Sequence, residues 1–259
     1  MHKSNTTYSV IIPTLNEEKN VEPLLVDLNE KIKLTTNSVE IIIVDGGSTD
    51  NTIDKIKQFN VKLLHSIRGR GQQFKFGAEN SCGEILIFQH ADSILPEDAF
   101  TFLDKYFTKH KKAATFRMKY DINFYPYTIF SFFTRFDSIF STFGDQGLII
   151  QKEFYEKIGG FNNLMIMEDV DILKKIRKEV RITKFKKYII SSSRKLKNNG
   201  IIKSQITSFV LIIMYLLGIN IETLYEIYYK KNDQEKSNNN IHKISRIRKG
   251  QDQISLNNE

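Results

Sequence analysis

Three acidic motifs stand in order along the chain: Val44-Asp45-Gly46-Gly47-Ser48-Thr49-Asp50, His90-Ala91-Asp92 and Glu168-Asp169. The first two follow apolar runs, and runs of that kind are typical of buried strands. Polar residues that follow such strands lie at the edge where an open α/β sheet binds its ligands. Carboxylates at that edge can bind a diphosphate through a divalent cation and leave one carboxylate as a base. The motifs therefore predict chemistry on a phosphate-bearing ligand.

The elements that position these motifs alternate between strands and helices. Apolar, β-branched runs predict strands over residues 8–12, 40–44, 61–64 and 84–89, and later over 113–120 and 148–150. Helical spacing predicts helices over 21–32, from Thr52 with Asp50 as its cap, over 97–109 with Pro96 at the first position, and over 152–158 and 169–178. This order predicts an α/β fold with a mostly parallel sheet flanked by helices.

Composition excludes some classes of protein. The single cysteine, Cys82, rules out an internal disulfide, and the first residues carry no apolar signal segment, so we expect a cytoplasmic protein. The net charge is +8, and residues 174–203 contain twelve Lys or Arg and one acid, Glu179. This basic band fits a solvated surface, an anionic lipid or a phosphorylated small molecule. No nucleic-acid recognition motif accompanies it, so nucleic acid is disfavoured.

Two apolar segments leave alternatives open. Residues 124–143 contain nine Phe or Tyr, which fits either core packing or a lid or acceptor groove lined by rings. Residues 201–219 are too short an apolar run to span a bilayer, so we expect a helix docked on the core or lying at a membrane surface. The predicted organisation is a catalytic domain over 1–199, C-terminal helices over 200–230 and a disordered polar tail over 231–259.

Six motifs in order carry a family resemblance. They are Ile11-Ile12-Pro13-Thr14-Leu15-Asn16-Glu17-Glu18, Val44 to Asp50, Gly69-Arg70-Gly71-Gln72-Gln73, His90-Ala91-Asp92, Gly144-Asp145-Gln146-Gly147 and Met167-Glu168-Asp169-Val170-Asp171. Over residues 9–228 the chain resembles family 2 glycosyltransferases of the GT-A fold, a Rossmann-like fold, and within them the bacterial arsenosugar-biosynthesis-like subset. Two departures matter. The aspartate pair that follows the second strand in the wider family is reduced here to Asp45 followed by Gly46. The Asp-x-Asp metal motif of the wider family reads His90-Ala91-Asp92 here.

The resemblance implies an inverting transfer of sugar from a nucleoside-diphosphate sugar to a hydroxyl acceptor. It implies that Asp169, next to Glu168, is the general base and that the donor site includes Pro13, Thr14, Asn16, Glu17, Asp45, Gly71, Gln72, Asp92 and Arg194. A Mn²⁺ or Mg²⁺ ion on the diphosphate is expected at Asp92, with His90 either as a second ligand or hydrogen-bonded behind the first. Asp145 and Gln146 are candidates for shaping the acceptor side.

Two other classes of function remain open at this stage. A non-catalytic nucleotide-sugar-binding protein would also fit, because one metal carboxylate is missing. A nucleotidyltransferase would use a similar sheet edge, but Pro13 to Glu18 lacks the glycine-rich loop and basic residues that bind a triphosphate. Within the transferase interpretation, the aromatic segment, the basic band and the apolar C-terminal helix together suggest a lipid-linked acceptor and peripheral contact with the inner face of the cell membrane.

Overall fold

The computed structural model describes residues 7–107, 110–122, 124–164, 166–193 and 201–228. Its centre is one sheet of eight strands in the order β3-β2-β1-β4-β7-β6-β8-β5. The strands are β1 (Tyr8–Thr14), β2 (Val39–Asp45), β3 (Lys62–His65), β4 (Ile85–Phe88), β5 (Ser93–Ile94), β6 (Ala113–Tyr120), β7 (Leu148–Gln151) and β8 (Thr183–Ser191). β1 to β4 run parallel to one another, so β1, β2 and β4 end at the same edge.

The second half of the sheet is mixed. β7 runs antiparallel to both β4 and β6, and β5 runs antiparallel to β8, whereas β6 and β8 are parallel. The expected α/β architecture is therefore confirmed, with the parallel part concentrated in the first four strands.

Helices cover the sheet and connect its strands. They are α1 (Val21–Ile32), α2 (Thr52–Ile56), α3 (Arg70–Glu79), α4 (Ala99–Tyr106), α5 (Tyr125–Phe133), α6 (Lys152–Lys157), α7 (Glu168–Glu179), α8 (Ile201–Leu216) and α9 (221–228), with a 3₁₀ turn at Gly144–Gln146. α1 buries Val21, Leu24, Leu25 and Leu28, the stripe that its spacing predicts. The N-cap of α2 is Asn51 and not the predicted Asp50, although Oδ1 of Asp50 accepts the N–H of Thr52 at 3.1 Å.

Two local predictions need correction. No helix is predicted near residue 70, yet Arg70–Glu79 is α3, which packs so closely on the sheet that a Cβ on Gly77 would meet Ile11 and, at 3.0 Å, Val44 Cγ2. Close approach of helix and strand therefore explains a glycine inside a helix, where it is otherwise unfavourable. Pro96 does not open α4, which begins at Ala99.

The two apolar segments are only partly buried. In the aromatic segment Tyr127 is buried, but most of the large rings around it are exposed: Phe124, Tyr125, Phe132, Phe133, Phe136 and Phe140. On α8, Leu211 and Ile212 are buried whereas Ile206, Phe209 and Val210 are exposed. Core packing thus accounts for a minority of these side chains.

The chain divides into two compact units, Met1–Ile212 and Ile213–Glu259. The second unit includes the end of α8 and α9. Across the described ranges, no helix has both the length and the apolar character to cross a membrane. The predicted polar tail and Arg194 lie outside the described residues, and the domain boundary near residue 200 stays a prediction.

Candidate functional site

Asp45 ends β2 and organises the loop that follows it. Its side chain is 1% exposed. Its carboxylate accepts the N–H groups of Gly47 and Ser48 at 2.9 and 2.8 Å. It also accepts the hydroxyls of Ser48 and Thr14 at 2.5 and 3.1 Å. These four hydrogen bonds engage both carboxylate oxygens with protein donors. The role shown by the geometry is to shape the loop, and the predicted contact to the nucleotide stays a prediction.

The loop after β1 is joined to the same turn. Asn16 has a left-handed backbone with φ 55°, and its Oδ1 accepts the N–H of Thr49 at 2.8 Å. The N–H of Glu17 donates to the hydroxyl of Thr52 at 2.8 Å. Pro13 and Thr14 are buried in β1. These predicted donor-site residues therefore form one connected corner at the sheet edge.

α3 ties this corner to the rest of the site. Gln73 is buried, and its Nε2 donates to the carbonyls of Thr14 and Val44 at 2.9 and 2.7 Å. A Cβ on Gly71 would meet the carbonyl of Asn162 at 2.8 Å and the Cβ of Glu168 at 3.0 Å. Gly71 thus allows the close approach of other parts of the protein, namely Asn162 and Glu168. Gln72 lies half-buried on the first turn of α3.

The turn after β4 carries the predicted metal ligands. Ser93 donates its N–H and its hydroxyl to the carbonyl of His90, at 3.2 and 2.9 Å. The carbonyl of Asp92 accepts the N–H of Ser192 at 3.0 Å. The ring of His90 lies 5.7 Å from that of Phe74. His90 and Asp92 are therefore held on a tight turn between α3 and β8.

The two acids at the start of α7 face different neighbours. Glu168 is 2% exposed and its Oε1 lies 2.7 Å from Nε of Arg70. Burial raises the pKa of Glu168, the charge of Arg70 lowers it, and that of Asp169 raises it. Asp169 is partly exposed, and its Oδ2 accepts the N–H of Gly144 at 3.2 Å. Adjacent residues on a helix point about 100° apart, so the two side chains diverge from the start of α7.

Asp145 brings the separate motifs together. Burial and the nearby charges of Asp169 and Asp92 together raise the pKa of Asp145 to about 7, against the opposing charge of Arg70. Nε2 of His90 and Cβ of Asp169 each lie 3.1 Å from the position of a Cβ on Gly144. The acids that follow β4 and open α7 therefore share one site with Asp145.

The sequence marked Asp145, in the motif Gly144-Asp145-Gln146-Gly147, as a candidate for the acceptor side, but it did not indicate that Asp145 lies beside Asp92 and Asp169. The motif forms a turn in which Gly147 has φ 67°. That backbone region favours glycine.

The carboxylates of the site provide oxygen ligands of the kind that a divalent cation needs. Within the described residues, no group of three or more His, Cys, Asp or Glu side chains is arranged to hold a metal ion. Mg²⁺ is commonly bound by one or two carboxylates together with substrate phosphates and water. Asp92 and the solvent-shielded Oδ1 of Asp145 lie at one site and supply that number of carboxylates. The residues fit a cation that the substrate helps to bind.

Comparison with known proteins gives sequence relatives that cover only part of the chain. The poly(ribitol-phosphate) beta-N-acetylglucosaminyltransferase TarS of Staphylococcus aureus is 28% identical over 123 residues, 43% of this chain and 21% of that protein. A dolichyl-phosphate beta-glucosyltransferase of Dictyostelium discoideum is 37% identical over 102 residues, 34% of this chain and 31% of that protein. The matched regions span less than a third of these relatives.

Solved structures share the fold over a larger part of the chain. The crystal structure of residues 1–349 of S. aureus TarS with UDP superposes with a TM-score of 0.57 at 22% identity, covering 72% of this chain and 60% of that one. Glucosyl-3-phosphoglycerate synthase of Mycobacterium tuberculosis, in complex with Mn²⁺, UDP and glucosyl-3-phosphoglycerate, gives a TM-score of 0.60 at 17% identity, covering 84% and 82%. These similarities establish the GT-A glycosyltransferase fold.

The family follows from the sequence profile. The profile of glycosyl transferase family 2 matches residues 9–177, which is more than half of the chain and includes all three acidic motifs. The chain therefore belongs to glycosyl transferase family 2.

Proposed function

We propose that this protein transfers a sugar, with inversion at the anomeric carbon, from a nucleoside-diphosphate sugar to a hydroxyl acceptor, and that Asp169 is the general base. The observation that carries the proposal is the meeting of Asp169 and Asp92 around Asp145, whose pKa both charges raise. Asp169, the proposed base, and Asp92, the proposed cation ligand, are thus close enough to act on one substrate.

The environment of Asp169 suits a base. Its Oδ1 accepts the N–H of Val170 at 2.8 Å, and its Oδ2 accepts that of Gly144. These two hydrogen bonds fix the orientation of the carboxylate, as a base that must reach one hydroxyl requires. As the acceptor oxygen attacks, Asp169 would take the hydroxyl proton, and the bond from the anomeric carbon to the diphosphate would break.

The donor would lie along the corner formed by Thr14, Asn16 and the turn after β2. The crystallised neighbours TarS and glucosyl-3-phosphoglycerate synthase bind UDP, which makes a uridine donor our first choice. Asp92 would bind the cation on the diphosphate, and His90 would support it from the same turn. When bound, a divalent cation stabilises the negative charge that develops on the leaving diphosphate. Arg70, at the start of α3, would face the same charge.

The test is donor turnover by Asp169→Asn. A panel of nucleotide sugars with Mn²⁺, screened by thermal stabilisation, identifies the donor, and release of the nucleoside diphosphate then measures turnover. Loss of a general base typically lowers kcat by about 10²- to 10⁴-fold. We expect a loss in that range with donor affinity retained. Wild-type binding without turnover would favour a non-catalytic binding protein, and full activity of Asp169→Asn would refute the assignment of the base.

A lipid-linked acceptor is the second part of the proposal. Phe124, Tyr125, Phe132, Phe133 and Phe136 form an exposed aromatic surface, and the guanidinium of Arg135 lies 3.7 Å from the centre of the Phe132 ring. Aromatic and basic side chains together favour the interface of an anionic membrane. The similarity to a dolichyl-phosphate glucosyltransferase supports the same acceptor class. The resemblance to the arsenosugar-like subset stays a prediction and does not define the acceptor.

The basic band contributes less free charge than its sequence suggests. Arg177 pairs with Asp137 at 2.6 Å and Lys187 with Asp98 at 2.8 Å, while Lys184 and Lys175 donate to protein oxygens. Membrane contact at the inner face of the cell membrane would therefore depend mainly on the aromatic surface.

Sedimentation with vesicles of anionic lipid tests the membrane contact. The double variant Phe132→Ser, Phe133→Ser should lose binding, whereas Ile67→Ser, a control that removes an apolar side chain 73% exposed elsewhere, should retain it. Absence of wild-type binding would refute the membrane contact and leave the transfer reaction untouched.

A further inference from the structure

Oδ1 of Asp145 is shielded from solvent and has no hydrogen-bond partner among the residues that the structure describes. Leaving a buried polar atom unpaired costs about 1–3 kcal/mol, and more for a charged group. Such atoms are uncommon in folded proteins and call for an explanation, such as an ion that belongs at the site.

Asp145 is fixed in this position by its neighbours in the turn. Nε2 of Gln146 donates to the carbonyl of Ser141 at 2.6 Å, and Nζ of Lys184 donates to Oε1 of Gln146. The N–H of Gly144 donates to Asp169. The turn is therefore held on both sides of Asp145, and the unpaired oxygen is a feature of a well-anchored segment.

Because Asp169 and Asp92 are already negative, the surroundings of Asp145 are unfavourable for a third negative charge. The charges of Asp169 and Asp92 both act on it, and Arg70 offsets them only in part. The charge of Asp145 acts on Lys184, but Nζ of Lys184 donates its hydrogen bonds to Thr115 and Gln146. A divalent cation would satisfy the unpaired oxygen and relieve the repulsion.

We infer that Asp145 is a carboxylate ligand of the divalent cation and replaces the acid that is His90 in this chain's version of the Asp-x-Asp motif. The inference rests on the proposed function, because the same cation would bind the donor diphosphate. It assigns the metal to two carboxylates on separate turns, Asp92 after β4 and Asp145 before β7. His90, whose Nε2 lies beside Gly144, would then stabilise the metal ligands without binding the metal itself.

The first test measures Mn²⁺ affinity in the presence of UDP, using the electron paramagnetic resonance signal of free Mn²⁺. Asp145→Asn removes the ligand, and Asp169→Asn is the matched control because it removes one negative charge from the same site. Loss of a residue that merely supports a metal ligand typically costs 10- to 100-fold in affinity. We expect Asp145→Asn to lose at least about 10-fold and Asp169→Asn to lose far less. Equal losses in the two variants would mean that charge alone matters and would overturn the inference.

The second test separates a ligand from a positioning residue. Thiolates select softer metals than carboxylates do. In a Cys82→Ser background, which removes the natural exposed cysteine, Asp145→Cys should bind Cd²⁺ with a sulfur-to-metal absorption band in the ultraviolet. Asp169→Cys should show no such band. A band in Asp169→Cys alone, or in neither variant, would overturn the inference.

Stability without metal completes the test. Asp145→Asn should unfold at the same temperature as wild type or higher, because the negative charge on a carboxylate with a shielded, unpaired Oδ1 is removed. A large fall in unfolding temperature would indicate a structural role and would count against the inference. Wild-type protein that binds neither UDP nor Mn²⁺ would refute the donor site itself, whereas wild-type binding that Asp145→Asn leaves unchanged would refute only the role of Asp145.

Discussion

The ion pair between Arg70 and Glu168 should be measurable as a coupling between α3 and α7. Nε of Arg70 lies 2.7 Å from Oε1 of Glu168, and the two side chains are 53% and 2% exposed. Removing one partner of a fully buried pair costs about 3–5 kcal/mol, whereas exposed pairs contribute at most about 1 kcal/mol. One partner here is buried and the other is half-exposed, so we expect Arg70→Met to lower the free energy of unfolding by about 2 kcal/mol.

A double-mutant cycle isolates the pair from other effects of each substitution. The variants are Arg70→Met, Glu168→Gln and the double variant, with Arg68→Met as a control that removes an exposed arginine two residues away. Urea unfolding followed by circular dichroism gives each free energy. We expect a coupling energy of about 1–2 kcal/mol and little effect of Arg68→Met. A coupling energy below about 0.5 kcal/mol would refute the claim that this pair joins the two helices.

The pH dependence provides a further check of the same pair. Burial raises the pKa of Glu168, and removal of Arg70 raises it further because the opposing charge is lost. An acid whose pKa is raised by folding destabilises the protein when the pH is above that pKa, and the penalty disappears as the pH falls through it. Arg70→Met should therefore lose more stability at pH 8 than at pH 5. An equal loss at both values would show that Glu168 does not carry the charge.

Three further substitutions test the packing around the site. Gly77→Ala should lower the free energy of unfolding by about 1–3 kcal/mol, because its Cβ would meet Val44; unchanged urea unfolding would contradict the close packing of α3. Gly144→Ala should push Asp169 aside and reduce kcat by up to about 100-fold, with unfolding affected much less, as turnover and urea curves would show. Burial lowers the pKa of Lys184 to about 7. Unfolding therefore takes up a proton there, and wild-type stability relative to Lys184→Met should rise between pH 7 and 9; parallel curves would contradict this.

The parallel half of the fold could be predicted because its signals are local. The apolar runs before Asp45 and His90 are β2 and β4, and the helical spacing after Val21 is α1 with the same bounds. Hydrophobic periodicity records which face is buried, and a buried face is what a strand or helix must have. The mixed strand order beyond β4 has no such local signal, because it depends on which distant strands pair.

α3 was missed because glycine has two opposite structural uses. Gly71 and Gly77 weaken a helix by about 1 kcal/mol each, so the composition favours a turn. In the structure both glycines allow contacts that a side chain would block, Gly71 with Asn162 and Glu168, and Gly77 with Ile11 and Val44. Those contacts join residues far apart in sequence and can be known only once the sheet is assembled.

The acids of the site show the same limit at the level of chemistry. Asp92, Asp169 and Asp145 were each visible in a motif, but motif position does not show which carboxylate is satisfied by the protein. Asp45 looks like a ligand-binding acid in sequence, yet its oxygens accept hydrogen bonds from its own loop and Thr14. Asp145 looks peripheral, yet its Oδ1 is, within the described part of the chain, the one carboxylate oxygen that is buried without a hydrogen-bond partner. Hydrogen-bond satisfaction, which requires coordinates, therefore distinguishes these two acids where motif position does not.

α3 also explains how Asp169, the proposed base, stays in a fixed position relative to the proposed donor corner, although the two come from distant parts of the chain. Gln73 fastens α3 to the ends of β1 and β2, where the donor corner lies. One turn earlier, Gly71 packs on Glu168, and Arg70 pairs with it, so the same helix fixes the start of α7. Asp169 follows Glu168 directly and inherits that position. Because reacting groups must be held to within a fraction of an ångström, we expect the buried Glu168 to position Asp169, the proposed base, and substitutions at Arg70 to alter turnover even where they leave the donor bound.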